Sequence, residues 1–234
     1  MKRKTTPPEF LNTVTLGNAI ELCQRIPDHS IDMIFTDPPY PFDFFYLYAW
    51  LGSIATRILK PGGWLFAYAG NEHAFKTESL LRLCGKLEWY VNIIITHRGA
   101  APMLYYKALQ SDYKLCHVFT SGRVKPDHPI SSIQDGRMPE KGYHIWGQDG
   151  GLCRKMLNYL THPDGDAIML DPFTGGGTFV AAAKEMGRQF IGFEVDPQAH
   201  AASLRHLADT TPPLVLENMF GEEIRTPVPV DFDK

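Results

Sequence analysis

Residues 31–41 read IDMIFTDPPYP, and this stretch decides how the whole chain is interpreted. The apolar residues Ile31, Met33, Ile34 and Phe35 predict a short buried strand. The two prolines that follow fix φ and remove two backbone donors, so the loop after the strand is stiff. Because ligands of open α/β sheets bind where strands end, we expect a binding site here. The Asp37 carboxylate and the Pro38 carbonyl can accept hydrogen bonds from an exocyclic amine, and Tyr40 can stack on a flat ring.

The same four residues, Asp37-Pro38-Pro39-Tyr40, also fit a simple proline-rich turn. In that interpretation Tyr40 is packed in the core and Asp37 caps the next helix. A four-residue motif alone is weak evidence, so the choice depends on the rest of the chain.

Composition limits the class of protein. A chain of 234 residues with 44% hydrophobic residues can form one α/β domain with its own core, with room for a small insertion. No apolar run is long enough to span a bilayer and no secretory signal is present, so we expect a cytoplasmic protein without membrane contact. The cysteines show no paired spacing, which indicates reduced, mostly buried thiols and no metal site. They are Cys23, Cys84, Cys116 and Cys153.

Charge is distributed unevenly along the chain. Residues 97–160 contain nine Lys and Arg against five acids, a net charge of +4, and the remaining 14 basic and 21 acidic residues give −7. A basic face on an acidic body is compatible with a phosphate-backbone partner. Ordinary solvated loops would produce the same pattern.

Periodicity predicts alternating strands and helices in the first 96 residues, the pattern of a parallel sheet. The predicted strands are 13–17, 31–35, 64–69 and 89–96, and the predicted helices are 19–25, 44–59 and 75–84. Asn18 is the expected N-cap of the first helix. After residue 96 the rhythm breaks, with only a short strand at 114–120, and the long loop 121–150 is of a length that usually indicates function or disorder. A helix is predicted at 152–160, and the tail after residue 217 is interrupted by prolines.

A second motif lies at 165–197, GDAIMLDPFTGGGTFVAAAKEMGRQFIGFEVDP. It predicts a strand, a glycine-rich turn, a helix and another strand that ends at Glu194. Such a turn lets a ligand approach the backbone and points amide N–H groups at it. An acid about twenty residues later suits a ribose diol, and Glu194 follows Asp171 by 23 residues. Asp171 ahead of the glycines suits a cationic amino group, which favours S-adenosylmethionine over a pyrophosphate. An NAD-type Rossmann unit and a plain tight turn are the alternatives.

Together, TDPPYP and LDPFTGGGTFVAAAKEMGRQFIGFEVDP resemble the amino-methyltransferases of DNA, the N6-adenine/N4-cytosine family. DPPY precedes the glycine motif by about 136 residues, which is the order of the β group of that family. RILKPGGWLFAYAG is also similar to the family's segment after DPPY. The resemblance covers most of residues 13–208.

The resemblance implies a Rossmann-like class I methyltransferase fold of α/β class. Its seven-stranded, mostly parallel sheet has one antiparallel strand, which residues 114–120 would supply in a hairpin with 89–96, and helices on both faces. We expect a single domain, 1–234. Its parts would be a catalytic half at 13–96, an irregular target-recognition insert at 97–150, a cofactor half at 151–212, and loose termini at 1–12 and 218–234. Where many relatives carry a His/Glu-Lys-Pro stretch, residues 143–149 read YHIWGQD, which leaves the contacts to the methionine end of the cofactor unassigned.

The resemblance also implies chemistry. It implies that the methyl group of S-adenosylmethionine passes to an exocyclic amine of a base that is flipped out of DNA, and Asp before Pro-Pro-Tyr is more similar to adenine-N6 than to cytosine-N4 members. The predicted catalytic residues are Asp37, Pro38, Pro39 and Tyr40, and the predicted cofactor residues are Asp37, Asp171, Phe173, Gly175, Gly177, Thr178 and Glu194. Candidate phosphate contacts are Arg98, Lys107, Arg123, Lys125 and Arg137. Phe42, Phe44 and Tyr46 either neighbour the flipped base or belong to the core.

Other functions remain open at this point. N4-cytosine methylation uses the same loop chemistry. RNA and protein amino-group methyltransferases resemble this loop too, but usually carry Asn at its first position and place the glycine motif earlier. A DNA-binding sensor that has kept a cofactor fold is the non-enzymatic alternative. Relatives are often homodimers, and they act either beside a restriction endonuclease or as orphan methylases, so the sequence leaves both of these points undecided.

Overall fold

The computed structural model of the chain describes residues 7–96, 103–104, 107–136, 149–161, 166–213, 215–217 and 223–225. Its centre is an eight-stranded sheet. In chain order, the strands are β1 (Thr13–Leu16), β2 (Ile31–Thr36), β3 (Leu59–Ala69), β4 (Glu88–Thr96), β5 (Met103–Leu104), β6 (Leu109–Gln110), β7 (Tyr113–Thr120), β8 (Ile133–Asp135), β9 (Ile168–Asp171), β10 (Gln189–Glu194), β11 (Val215–Glu217) and β12 (Glu223–Arg225). The α-helices are α1 (Ala19–Leu22), α2 (Tyr46–Ile58), α3 (Ala74–Cys84), α4 (Gly151–Leu160), α5 (Thr178–Glu185) and α6 (Pro197–Asp209).

The strand order of the main sheet is β1-β10-β9-β2-β3-β7-β4-β8. From β2 the chain moves to β3 on one side, whereas from β9 it moves to β10 on the other, so the winding reverses between β2 and β9. Ligands of open α/β sheets bind in the crevice at such a reversal, outside the ends of the strands. We call the edge at which the parallel strands end the carboxyl edge.

One strand of the main sheet is antiparallel, as the sequence predicted. β7 pairs antiparallel with both β3 and β4. The predicted count of seven strands is one too few, because Ile133–Asp135 pairs in parallel with the end of β4. A strand of three residues in a Ser- and Pro-rich stretch is too short to show a period, so the sequence carried no signal for it.

Helices cover both faces of the sheet. The predicted helix over 44–59 is observed as α2, and its buried side chains repeat at the spacing that the sequence shows. They are Leu47, Leu51, Ile54, Ala55 and Ile58. α1 to α3 cover one face, and α4 to α6 pack around Phe179 on the other. Asn18 caps α1, since its side chain accepts a hydrogen bond from the Ile20 amide at 2.9 Å. Among the described residues, no helix is long and apolar enough to cross a membrane.

Several boundaries differ from the sequence prediction. Residues 60–63 were predicted as a loop, but strand pairing already begins at Leu59, opposite Ile31, and an irregularity in the pairing absorbs the intervening residues. Residues 7–12 of the predicted loose arm are instead packed on the body, where Phe10 is 2% exposed and lies edge-on to Phe193 at 5.2 Å. A single aromatic residue anchors this segment, which periodicity does not reveal. The short strand β11 pairs with β12 in a separate hairpin, not in the main sheet.

A buried polar chain links β7, β4 and α3. His117 is fully buried; its Nε2 lies 2.9 Å from the Thr77 hydroxyl, and its Nδ1 lies 2.8 Å from Asn92 Oδ1. Because the Asn92 amide nitrogen donates to Glu78, the Asn92 oxygen faces the ring and His117 Nδ1 carries the proton. Burial lowers the pKa of His117 to about 4, so the ring is neutral.

Because His117 is buried in its neutral form, we predict that the fold loses stability in mild acid. Its pKa is about 4 in the folded chain and roughly 6.5 in the unfolded chain. The neutral ring therefore stabilises the fold fully above pH 6.5, and this contribution falls by roughly 3 kcal/mol as the pH approaches 4. Urea unfolding between pH 4.5 and 8 measures the slope. We expect His117→Gln to be less stable at pH 8 but to show a shallower pH dependence, and the exposed control His128→Gln to retain the wild-type slope. An unchanged slope in His117→Gln would contradict this assignment.

Candidate catalytic and cofactor site

The two sequence motifs meet at the carboxyl edge. β2 and β9 are hydrogen-bonded neighbours, with Met33 opposite Met169 and Ile34 opposite Leu170. Just beyond this pairing, the Thr36 hydroxyl donates to Asp171 Oδ1 at 2.7 Å, and both side chains are buried. Two loops separated by more than 130 residues therefore leave the sheet side by side, at the place where the winding reverses.

The loop after β2 presents Asp37 as an oriented acceptor. The Tyr40 hydroxyl donates to Asp37 Oδ1 at 2.5 Å, and the Tyr40 ring lies against the backbone of Gly70, at the end of β3. Burial raises the pKa of Asp37, an effect opposed first by Lys114 and then by the Tyr40 hydrogen bond. The helical segments that follow Asp37 begin without a side-chain cap. Asp37 therefore does not cap the next helix, as the simple-turn interpretation required.

The loop after β9 carries a second buried carboxylate. Asp171 Oδ1 accepts from Thr36 and from the Phe173 amide, the latter at 3.1 Å. Asp171 Oδ2 is buried and has no hydrogen-bond partner among the described residues. Burial is the main cause that raises the pKa of Asp171 to about 7; the hydrogen bonds from Thr36 and Phe173 lower it, and the carboxylates of Glu194 and Asp37 contribute to the rise. A buried acceptor of this kind favours a cationic or N–H-bearing ligand.

The glycine-rich turn has the open backbone that the sequence predicted. Gly175 and Gly177 have φ values of +53° and +89°, which side-chain-bearing residues rarely adopt. Apart from its chain neighbours, no described residue has an atom within 4 Å of the position that a Gly175 Cβ would take, whereas a Cβ on Gly177 would come within 3.0 Å of Ser203. Gly177 therefore allows close packing of α6, and Gly175 leaves its surface open to a ligand.

Glu194 holds this turn from the end of β10. Its Oε2 accepts from the Gly175 amide at 2.7 Å, and its Oε1 accepts from the Asp196 amide at 2.8 Å. Thr178 begins α5 directly after the turn. Phe173 lies edge-on to Trp50 of α2 at 5.9 Å, so the helix that follows the first loop packs on the second.

Sequence reasoning missed Lys114 as a member of this site. Its Nζ lies 3.9 Å from the centroid of the Tyr68 ring. Burial lowers the pKa of Lys114, while Asp37, Cys116 and Asp149 raise it. The sequence did carry a signal for Lys114. It is the first of three alternate residues of β7 that point to the same face, and the other two, Cys116 and Val118, are apolar.

The aromatic residues after the catalytic loop are exposed, which excludes the second of the two alternatives, that they belong to the core. Phe42 is 68%, Phe44 40% and Tyr46 56% exposed. Phe42 lies 5.1 Å from Phe45 between ring centroids, and the Lys76 ammonium is 5.9 Å from the Phe42 ring. The loop is thus flanked by an aromatic surface with a nearby positive charge.

The candidate phosphate contacts separate into two groups. Lys107 lies at the carboxyl edge, where its Nζ is 3.3 Å from Glu72, just beyond the end of β3. Arg123 and Lys125 follow Thr120, which pairs with Trp64 near the other end of β3. A six-residue strand spans about 20 Å, so these two residues lie at the opposite edge from Asp37. Arg98 and Arg137 lie outside the described residues.

Comparison with known proteins gives a consistent result. A family model described as DNA methylase, N6/N4 type, matches residues 31–205. YubD of Escherichia coli strain K12, named as a methylase, is 23% identical over 207 residues, which cover 82% of this chain and 88% of YubD. The type II methyltransferase M.BamHI of Bacillus amyloliquefaciens is 26% identical over 231 residues. That match covers 76% of this chain but only 53% of M.BamHI.

Solved structures share the fold. The PvuII DNA methyltransferase, which is cytosine-N4-specific, superposes with a TM-score of 0.73 at 17% identity, over 84% of this chain and 86% of that protein. M1.HpyAVI, crystallised as its SAM complex, superposes with a TM-score of 0.67 at 22% identity, over 83% of this chain and 99% of M1.HpyAVI. The predicted class I methyltransferase fold is confirmed.

Proposed function

The chain belongs to the N6/N4 family of DNA methylases, and on this premise we propose that it transfers a methyl group from S-adenosylmethionine to the N6 amino group of adenine in DNA. The observation that carries this proposal is the contact between the two loops. Thr36 and Asp171 are joined by a hydrogen bond, so a donor held by one loop would lie next to a base held by the other.

The residues of the glycine-rich turn fit S-adenosylmethionine. Asp171 Oδ2 is buried and has no hydrogen-bond partner in the part of the chain that the structure describes, so it suits the ammonium of the methionine end. Glu194 suits the ribose diol, and the open surface at Gly175 admits the ligand close to the backbone. Phe173 and Thr178 complete the wall of the turn. When bound, the cofactor supplies a methyl group on a positively charged sulfur, a strong electrophile.

The catalytic loop would bind and orient the amine. The lone pair of an exocyclic amine is delocalised into its ring, so the nitrogen is a poor nucleophile. Asp37 and the Pro38 carbonyl would accept its two N–H groups, which favours a more tetrahedral nitrogen and directs its lone pair toward the methyl group. The stiffness that Pro39 gives the loop would preserve this geometry. The rest of catalysis is positioning for an in-line displacement.

The target atom is unreachable inside a duplex, so the base must be extruded. We propose that Tyr40 stacks on the extruded base. The exposed rings of Phe42, Phe44 and Tyr46 would then contact the DNA around it. This places the duplex over the carboxyl edge, where β4 and β8 also end. We therefore propose that the insert, residues 97–150, contributes to target recognition from this edge.

Methylation of cytosine N4 is the second candidate. An acceptor pair such as Asp37 and the Pro38 carbonyl can bind any exocyclic amine beside a ring, and the PvuII enzyme shares this fold. We favour adenine because Asp, not Ser, precedes Pro-Pro-Tyr.

The modified base and the role of Asp37 can be tested together. DNA, RNA and protein are incubated with methyl-labelled S-adenosylmethionine, and the DNA is digested and analysed by nucleoside mass spectrometry. We expect label in DNA, as N6-methyladenine. We expect Asp37→Ala to abolish transfer yet bind the cofactor within about twofold of wild type, because of the two roles predicted for Asp37 we assign it the one at the target amine, and we assign the cofactor's ammonium to Asp171. The matched control Asp43→Ala removes an exposed carboxylate from the next turn and should retain activity. N4-methylcytosine as the product would establish the second candidate, and loss of cofactor binding together with activity would make Asp37 structural.

Glu194 is expected to determine cofactor affinity but not the identity of the modified base. Glu194→Ala removes the proposed ribose acceptor and should raise the cofactor dissociation constant by roughly 10- to 100-fold, the value of one or two charged hydrogen bonds. Isothermal titration calorimetry measures this. Glu194→Gln, which can still accept from the Gly175 amide, separates support of the turn from the ribose contact and should be intermediate. A dissociation constant unchanged in Glu194→Ala would remove Glu194 from this role.

The position of each lysine predicts which ones touch phosphates. We propose Lys76 and Lys107 as contacts because both lie at the carboxyl edge. We do not propose Arg123 and Lys125 as phosphate contacts, because they lie at the opposite edge of the sheet. In filter-binding measurements between 50 and 300 mM salt, each true contact that is replaced by alanine should reduce the slope of log affinity against log salt by about 1. Arg123→Ala and Lys125→Ala serve as matched controls with the wild-type slope. A reduced slope in these controls, and not in Lys76→Ala or Lys107→Ala, would place the duplex at the wrong edge.

A further inference from the structure

Lys114 stands at the beginning of the only antiparallel strand described in the main sheet, and this places its charge in the site. Leu115 pairs with Ala69, the last residue of β3, so Lys114 lies at the carboxyl edge. If β7 ran in the other direction, Lys114 would lie at the far edge and Arg123 at the carboxyl edge. The direction of one strand therefore brings this lysine beside the catalytic loop.

The Lys114 side chain shares its face of the sheet with the catalytic carboxylate. Alternate strand residues point to one face, and Cys116 belongs to the same core cluster as Phe35 and Tyr68. Asp37 follows Phe35 by two residues. The Lys114 ammonium lies over the Tyr68 ring at 3.9 Å, and Tyr68 in turn packs on Phe35 with ring centroids 5.6 Å apart.

In the described part of the chain, several titratable groups interact with Asp37, and Lys114 is the cation among them. Tyr40, Tyr48, Tyr68, Cys116 and Asp171 each interact with Asp37 electrostatically, as does Lys114. Asp149, which precedes α4, also interacts with Lys114 and Tyr68. The tyrosines and Cys116 are neutral near pH 7 because burial raises their pKa values. Among these groups, Lys114 alone opposes the effect of burial on Asp37 with a positive charge.

The proposed chemistry requires Asp37 to be a carboxylate. A protonated Asp37 would present a hydroxyl group to the amine, and one of its two acceptor oxygens would be lost. Tyr40 already occupies Oδ1, so protonation would fall on the oxygen that must accept from the target. A counter-charge that keeps Asp37 ionised would therefore act on the reaction without touching the base or the donor.

We propose that Lys114 is a positioning residue of the methyl-transfer site, whose ammonium, held over Tyr68, keeps Asp37 ionised and ready to accept the target amine. This inference rests on the proposed role of Asp37 as the amine acceptor. It differs from a role in cofactor binding, in which Lys114 would instead meet the carboxylate of the methionine end.

The test compares Lys114→Met, Lys114→Arg and the exposed control Lys86→Met across pH 5.5 to 9.5. We expect Lys114→Met to move the acid limb of the kcat profile upward by about one pH unit or more, because an opposite charge shifts a carboxyl pKa by that amount. On that limb kcat should fall by about tenfold, and on the alkaline side of the shifted limb the activity should approach that of wild type. Lys114→Arg should restore the acid limb, Lys86→Met should match wild type, and the cofactor dissociation constant should stay within about twofold throughout.

Two results would overturn the proposal. An equal loss of kcat at every pH, without a shift of the acid limb, would make Lys114 a purely structural residue. A rise of about tenfold or more in the cofactor dissociation constant with an unmoved acid limb would assign Lys114 to the donor.

A measurement without turnover separates this inference from the proposed function. The pKa of Asp37 is read from the 13Cγ chemical shift in aspartate-labelled protein, assigned by difference with Asp37→Asn. It should rise in Lys114→Met even if no nucleic acid is methylated, and an unchanged value would contradict the inference alone. Should Lys114→Met not fold, the reciprocal measurement remains, since coupling between two sites is mutual. The Lys114 ammonium should then titrate at a lower pH in Asp37→Asn than in wild type, and an equal value would refute the coupling.

Discussion

The hydrogen bond from Thr36 to Asp171 is the interaction on which the site depends. It joins the ends of β2 and β9 at the reversal of the sheet, and both side chains are buried. Each strand by itself leads into an ordinary loop. Their adjacency places an amine-accepting loop beside a glycine-rich turn. The buried position of the bond also explains why it is specific, because a lost partner there would leave a desolvated polar group.

Among the described residues of the site, negative charge exceeds positive charge. Asp37, Asp171 and Glu194 converge at the carboxyl edge, and the pKa values of the first two are raised by burial. A cationic donor is favoured by such a set, and an unpaired Asp171 oxygen remains for it. The burial that raises the pKa of Asp37 would favour its protonated form if no positive charge opposed it. The half-buried Lys114, which lies over Tyr68 on the antiparallel strand β7, opposes this effect with its positive charge. The cationic cofactor is favoured by unpaired carboxylates, whereas binding of the target amine requires a nearby cation that keeps Asp37 ionised. The same site must meet both requirements.

Periodicity correctly predicted the helices and strands that are long enough for the pattern of apolar residues to repeat several times. α2 and α3 are observed close to their predicted bounds, and so are β4 and the strand–turn–helix of the second motif. The failures have local physical causes. β8 is too short to show a period. Residues 60–63 look like a loop because of Pro61 and two glycines, yet pairing extends through them from Leu59. Phe42, Phe44 and Tyr46 look like core because they are aromatic, yet they lie on the surface beside the catalytic loop.

By itself, the sequence determined the chemistry that each motif can offer, because that chemistry depends on residue types within a few positions of one another. Asp-Pro-Pro-Tyr is a stiff acceptor loop, and Asp-Pro-Phe-Thr-Gly-Gly-Gly is an open turn, wherever they occur. Only the tertiary structure decided which residues share the site. The pairing of β2 with β9 brought Thr36 to Asp171, and the antiparallel direction of β7 placed Lys114 at the carboxyl edge and Arg123 and Lys125 at the other. Strand order and direction are set by contacts between residues far apart along the chain, and no local pattern of residues records them.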